Sequence, residues 1–206
     1  MLDHVIDACL WAEKFTNRNG HVEVTTKVLV PIGDTIIQDF SDSCDMWEGP
    51  EDDVLTRYVE AARAAKAEFI VRVTGDCPLL PAHVVSKHIN LALANNYDYL
   101  SNVDEECRMA LDGIDCEVIS AKLLTWLNET ATSVRDREHV TTLARREPPE
   151  WAKRGIVQGY FDLSPLKLSV DTEQDLENVR KWFSEARAKV SQSFRKYDRR
   201  SVHRYF

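Results

Sequence analysis

The sequence has no C-x-x-C pair among its five cysteines, Cys9, Cys44, Cys77, Cys107 and Cys116. That spacing argues against a structural zinc site, and the odd number fits free thiols in a reducing cytoplasm. No apolar run approaches the roughly 20 residues of a membrane span, and no stretch reads as a signal peptide. Positive charge is not in surplus: 26 Lys and Arg face 34 Asp and Glu, for a net charge of -8. The pI near 5.3 argues against a general nucleic-acid binder, although not against a local basic pocket. Internal repeats and low-complexity segments are also missing. What remains is an ordinary globular composition, 44% apolar and 29% charged over 206 residues. That is enough for one sizeable core. One α/β domain is expected over residues 1–190, followed by a basic, aromatic tail over 191–206.

Apolar spacing predicts helices over 2–15, from Pro50 to about Ala67, 81–95, 121–130, from Asp136, and 173–189. Short extended runs fall at 28–30, 46–47, 69–74, 97–100, 112–118 and 167–170. Strands alternating with helices of about 10–17 residues indicate βαβ units and a mostly parallel sheet.

The most informative stretch is F-I-V-R-V-T-G-D-C-P-L-L-P, from Phe69 to Pro81. Ile70, Val71 and Val73 suit a strand buried in a parallel sheet. The strand must stop by Pro78, which has no amide hydrogen for a ladder. Asp76 is therefore left at the carboxyl end of a strand, the edge where open α/β sheets bind ligands. Lys167-Leu168-Ser169-Val170 repeats the arrangement and ends in Asp171. Asp76 has a structural alternative, that of capping the next turn.

Two carboxylates at strand ends can share one magnesium ion, which takes one or two protein carboxylates and is completed by substrate phosphates. Such a site suits phosphoryl or nucleotidyl transfer. Arg72, Arg137 and Lys167 are candidate partners for phosphate or carboxylate groups. Asp112, Asp115 and Glu117 are read as lining one side of a strand, where they face either solvent or a polyol or metal pocket. Gly49-Pro50-Glu51-Asp52-Asp53 reads first as a well-started helix, with proline and acids suited to the first turn. Cys77 reads as packing rather than as a nucleophile.

Six blocks occur in order between Gly49 and Glu177: G-P-E-D-D-V-L-T-R-Y, R-V-T-G-D-C-P-L-L, N-N-Y-D-Y-L-S-N, D-G-I-D-C-E-V, D-R-E-H-V-T and L-S-V-D-T-E-Q-D-L-E. Together they resemble the cytidylyltransferase family, in particular its spore-coat polysaccharide branch, akin to the acylneuraminate and KDO cytidylyltransferases. The resemblance implies a Rossmann-like fold of the nucleotide-diphospho-sugar transferase type. It implies transfer of CMP from CTP to a sugar or sugar acid, with release of pyrophosphate. It implies that Asp76 and Asp171 hold magnesium and that Asp112, Asp115, Arg137 and His139 line the sugar side. Gly49, Asp52 and Asp53 would lie near the nucleotide or sugar. For His139, a substrate contact is favoured over a general base, and a structural hydrogen bond is the alternative. Family likeness and the aromatic tail point to a homodimer.

One family feature is missing. A first strand and a loop of the form Q-A-R-x-x-S-x-R-L-P-G-K grip the nucleotide in the family, and Leu2 to Phe15 matches the helix that follows them. Loss of that strand would expose two internal sheet edges. A fragment, a loop supplied by another chain, or a non-catalytic binding or assembly subunit would each account for this. A glycosyltransferase fits less well, because no D-x-D motif follows a strand. Without the loop, this polypeptide is expected to bind triphosphates weakly or not at all. Isothermal titration giving micromolar CTP affinity with magnesium would overturn that expectation.

Overall fold

The computed structural model describes residues 1–18, 22–40, 42, 44–103, 112–157 and 167–185. It begins with helix α1 (Leu2–Arg18), strand β1 (Lys27–Pro31), a short helix α2 (Ile37–Phe40) and strand β2 (Asp45–Gly49). Helix α3 (Val54–Ala65), strand β3 (Phe69–Arg72), helix α4 (Ala82–Asn95) and strand β4 (Tyr99–Ser101) follow. Then come β5 (Glu117–Ser120), α5 (Ala121–Thr130), α6 (Val134–His139), α7 (Thr142–Arg146) and β6 (Arg154–Ile156). A last helix, α8, covers 173–185. The basic tail over 191–206 lies outside the described residues.

The strands form two sheets. β1 and β2 pair in parallel, and the larger sheet has the order β3-β5-β4-β6. β5 runs antiparallel to both β3 and β4, whereas β4 and β6 are parallel. Three of the four strands in the larger sheet therefore share one direction, as the mostly parallel α/β reading expects. Among the described residues, β1 pairs only with β2 and β3 only with β5. Each sheet thus has edge strands with a single partner among the described residues.

Every residue of β5 is buried, because helices cover both faces of the sheet. On one face, Leu55 and Val59 of α3 pack with Ile119 of β5, Leu123 and Leu127 of α5 and Leu143 of α7. On the other, Ala12 of α1 and Val85 and Ile89 of α4 enclose Cys77 and Cys116.

Two sequence expectations need correcting. Helix α3 starts at Val54 rather than near Pro50, because Asp53 caps it by accepting a hydrogen bond from the Thr56 amide at 2.9 Å. The side-chain cap sets the start and leaves Glu51 and Asp52 outside the first turn. The strand expected over 112–118 begins only at Glu117. Gly113 has φ +99°, so the chain turns there instead of running straight. A Cβ at this position would stand 2.4 Å from the carbonyl carbon of Leu168. Only glycine allows both that backbone and that approach.

His88 of α4 is 1% exposed, and its Nδ1 lies 2.8 Å from the Val84 carbonyl oxygen. Its Nε2 is buried with no partner among the described residues. Burial, joined by the nearby Lys87 charge, lowers its pKa from the ordinary 6.5. Below pH 6.5 the unfolded chain therefore takes up a proton that the folded chain refuses, and stability falls as pH drops toward the folded pKa. Urea midpoints at pH 7.5 and pH 5 should show a larger acid loss for the wild type than for His88→Gln. Equal losses in the two proteins would remove His88 as the cause.

Candidate active site

The registers of the larger sheet set out one row of residues at a single edge. Glu117, the first residue of β5, stands opposite Arg72, the last of β3, and Ser101, the last of β4. Ser101 in turn stands opposite Ile156, the last of β6. This is the carboxyl edge of the three strands that share a direction, where α/β sheets gather ligands.

Asp76 projects from this edge in a tight turn, closed by the Cys77 amide donating to the Thr74 carbonyl at 3.3 Å. The segment over 167–171 then crosses the same edge. Its Leu168 amide donates to the Asp112 carbonyl at 2.7 Å, and its Val170 amide donates to the Asp76 carbonyl at 2.9 Å. The Ser169 hydroxyl donates to the Asp112 carboxylate at 3.2 Å. Asp171 is the residue that follows Val170, directly after this bond to the Asp76 backbone. Asp115 also belongs here, since its charge acts on the Cys77 thiol together with that of Asp76. Burial pushes that thiol up to about 12, the two carboxylates add to the rise, and the Thr74 hydrogen bond opposes it. Cys77 is therefore a protonated, 1% exposed packing residue rather than a nucleophile.

Lys167 supplies the positive charge at these acids. Its Nζ lies 2.7 Å from both Asp171 and Asp175. Hydrogen bonds from Lys167 and from Thr172 hold the Asp175 carboxyl down at about 2. Asp175 also accepts from the Thr172 amide at 3.0 Å and returns its own amide to the Thr172 hydroxyl at 3.2 Å. This reciprocal pair opens α8. It is legible in T-E-Q-D, the capping-box spacing that the sequence reading passed over.

The Asp76 and Asp171 pair fits magnesium chemistry, because that ion takes one or two protein carboxylates and completes its shell with water and substrate phosphates. Among the described residues, no group of three or more His, Cys, Asp or Glu side chains could hold a metal. Two carboxylates with a substrate phosphate do not require one.

Other predicted site residues are engaged elsewhere. Arg137 donates through Nη2 and Nε to Asp53 at 2.7 and 3.0 Å, and also to the Thr56 hydroxyl and to Asn128. It forms a strut between α6 and the start of α3. Burial acts to raise the Asp53 carboxyl, and the bonds from Arg137 and Thr56 outweigh it and leave it lowered. Asp52 and His139 are exposed, while Gly49 is buried.

Sequence reasoning missed the central network. Glu117 is 2% exposed and accepts from Arg72 Nη1 at 2.6 Å, from the Thr141 hydroxyl at 2.7 Å and from the Tyr99 hydroxyl. Thr141 reaches it through a strained backbone. Val140 has φ 60° and ψ -56°, and the Thr141 amide donates to the His139 carbonyl across it. This is a γ-turn at a buried β-branched residue, a conformation that persists only where its surroundings enforce it.

A family model described as cytidylyltransferase matches residues 1–194. The chain belongs to the cytidylyltransferase family. The chain is 30% identical over 142 residues to an uncharacterised protein of Methanocaldococcus jannaschii, covering 64% of this chain and 53% of that protein. It is 29% identical over 145 residues to the spore coat polysaccharide biosynthesis protein SpsF of Bacillus subtilis, covering 68% of this chain and 58% of that one. The chain thus spans somewhat over half the length of these relatives. Its fold is similar to that of a cytidylyltransferase from Leptospira borgpetersenii, with a TM-score of 0.73 and 24% identity over 88% of this chain and 76% of the other. It is also similar to CMP:2-keto-3-deoxy-manno-octonic acid synthetase complexed with CTP, with a TM-score of 0.60 and 13% identity over 90% and 88%. The Rossmann-like architecture expected from the sequence is therefore present.

Removing one member of a buried ion pair leaves the other charge unmatched and costs about 3–5 kcal/mol. Glu117→Ala should lose stability of that order in urea unfolding. A loss within the few tenths typical of surface changes would show that the network is not a structural anchor.

Proposed function

We propose that this chain is a nucleotidyltransferase that joins CMP from CTP to a hydroxyl of a sugar or sugar acid. In the balanced reaction, the acceptor oxygen bonds to the α-phosphorus of CTP. The bond from that phosphorus to the bridging oxygen breaks, pyrophosphate leaves, and the acceptor hydroxyl gives up its proton to solvent. The observation that supports this reading is the bond from the Val170 amide to the Asp76 carbonyl, which joins the residue before Asp171 to Asp76 at the carboxyl edge.

Asp76 and Asp171 would hold magnesium. Bound there, the ion would neutralise triphosphate charge and help align the attacking oxygen. Lys167 offers a cation next to Asp171 for a phosphate oxygen. Asp112 and Asp115 can accept hydrogen bonds from sugar hydroxyls, and the half-exposed setting of both fits that use. His139 supplies the γ-turn's opening carbonyl, and its side chain is exposed. Its place suits contact with an acceptor better than buried general-base chemistry. SpsF, by its name, serves spore coat polysaccharide synthesis, which supports a role in nucleotide-sugar supply for a surface polysaccharide. No described helix is long and apolar enough to cross a membrane, in keeping with small, water-soluble substrates.

The test is a titration with CTP, with ATP as control, with and without magnesium, on the wild type and on Asp76→Ala. Weak binding that prefers CTP, requires magnesium and is lost in Asp76→Ala is the expected result. Binding that ignores both magnesium and the substitution would overturn the assignment of the metal site. No CTP binding by the wild type would overturn the catalytic reading for this polypeptide.

A further inference from the structure

Arg57 stands in the first turn of α3 and is 8% exposed. Its stem lies against Gly49 at the carboxyl end of β2, where a Cβ on the glycine would come within 2.5 Å of Arg57 Cγ. Gly49 is therefore needed for space: any side chain there would push the arginine away.

The guanidinium itself is poorly matched. It makes one long hydrogen bond, from Nη2 to the Glu51 carbonyl oxygen at 3.4 Å. Its Nε is buried without a partner. Two partly buried arginines are matched by carboxylates, although the Nε of Arg72 and of Arg145 is likewise buried without a hydrogen-bond partner. Arg137 is neutralised by Asp53 at 2.7 Å, and Arg72 by Glu117 at 2.6 Å. Arg57 has no such carboxylate among the described residues. Burying a guanidinium without a counter-charge is costly, and proteins ordinarily avoid it.

The location gives the surplus charge a meaning. The hydroxyl of Tyr58 lies within electrostatic reach of Arg72, Glu117 and Arg57. The geometric anchor of Arg57 is Gly49, the last residue of β2, so its stem lies at the carboxyl end of that strand. Glu117 is already taken by Arg72, and Asp53 at the head of α3 is already taken by Arg137. One positive charge is left over, held by a helix start and by a glycine that leaves it room.

We propose that Arg57 is a substrate-binding residue that receives an oxyanion. On the nucleotidyltransferase reading, on which this inference rests, the oxyanion is either a phosphate of the nucleotide or the carboxylate of a sugar acid. Arginine suits both, since its planar fork matches two oxygens at once. Bound ligand supplies the counter-charge that the fold withholds.

Isothermal titration with CTP, inorganic pyrophosphate and 2-keto-3-deoxy-manno-octonic acid tests the inference on the wild type, Arg57→Met, Arg57→Lys and Gly49→Ala. Loss of a charged hydrogen bond should weaken the relevant ligand by about 10- to 100-fold in Arg57→Met. Arg57→Lys should recover part of the loss. Gly49→Ala, which keeps the arginine but displaces it, should weaken the same ligand. A loss confined to CTP and pyrophosphate assigns the phosphate, and one confined to the sugar acid assigns the carboxylate. Urea unfolding separates this from a packing role, because removing a buried unmatched charge should leave the midpoint of Arg57→Met unchanged or raised. Unchanged binding of every ligand by folded Arg57→Met would overturn the inference and leave the nucleotidyltransferase reading standing. Pyrophosphate binding that depends on Arg57, in a chain that does not bind CTP, would uphold the inference and sink that reading. A wild type that binds none of the three would overturn the inference too.

Discussion

The buried carboxylate of Glu117 is the constraint on which the carboxyl edge depends. It accepts from Arg72 at the end of β3, from Tyr99 on β4 and from Thr141 after α6. Three separately folded pieces are thereby fixed to the start of β5. A group at 2% exposure cannot exchange these partners for water, so the donors must arrive in the right places for the core to close. The γ-turn at Val140 is a visible cost of that requirement. An unfavourable φ is accepted because it delivers Thr141 to the carboxylate.

The same edge is arranged in two kinds of charge. Glu117 and Arg72 form a closed pair inside the sheet, and Asp53 and Arg137 form another at the head of α3. Beyond them lie Asp76, half-buried, and Asp171, exposed and paired at the surface with Lys167. Groups already saturated inside the fold give shape. Groups with remaining capacity can meet a ligand. Arg57 belongs with the second kind in its chemistry, although its burial resembles the first.

How much could be read in the sequence follows this division. The strand and turn from Phe69 to Pro81 were legible because the signal is local: an apolar run, then Gly75-Asp76-Cys77-Pro78. Helices α1, α4 and α5 were legible from their apolar spacing. The start of α3 was misplaced because Pro50 and three acids gave a plausible first turn, whereas the cap from Asp53 to Thr56 decided the matter. The alternation over 112–118 suggested one wet face, yet β5 is buried on both. Glu117 was read among the lining acids, because its partner Arg72 is 45 residues away in sequence. No local pattern announces such a pair. Strand β6, three residues long, carries too little pattern to be noticed. Arg137 looked like a ligand contact because its motif is polar and helical. Only the fold shows that Asp53, 84 residues earlier, already holds it.

The crossing of residues 167–171 over the edge has a consequence in time. Asp76 and Asp112 leave the ribosome long before the segment whose Leu168 and Val170 amides join them. Contacts so distant in sequence are entropically slow to close. A nascent chain can therefore complete much of its helical core while its two key acids are still apart. On the proposed reading, the two acids that would gather a metal and a triphosphate come together only when that later crossing is laid down.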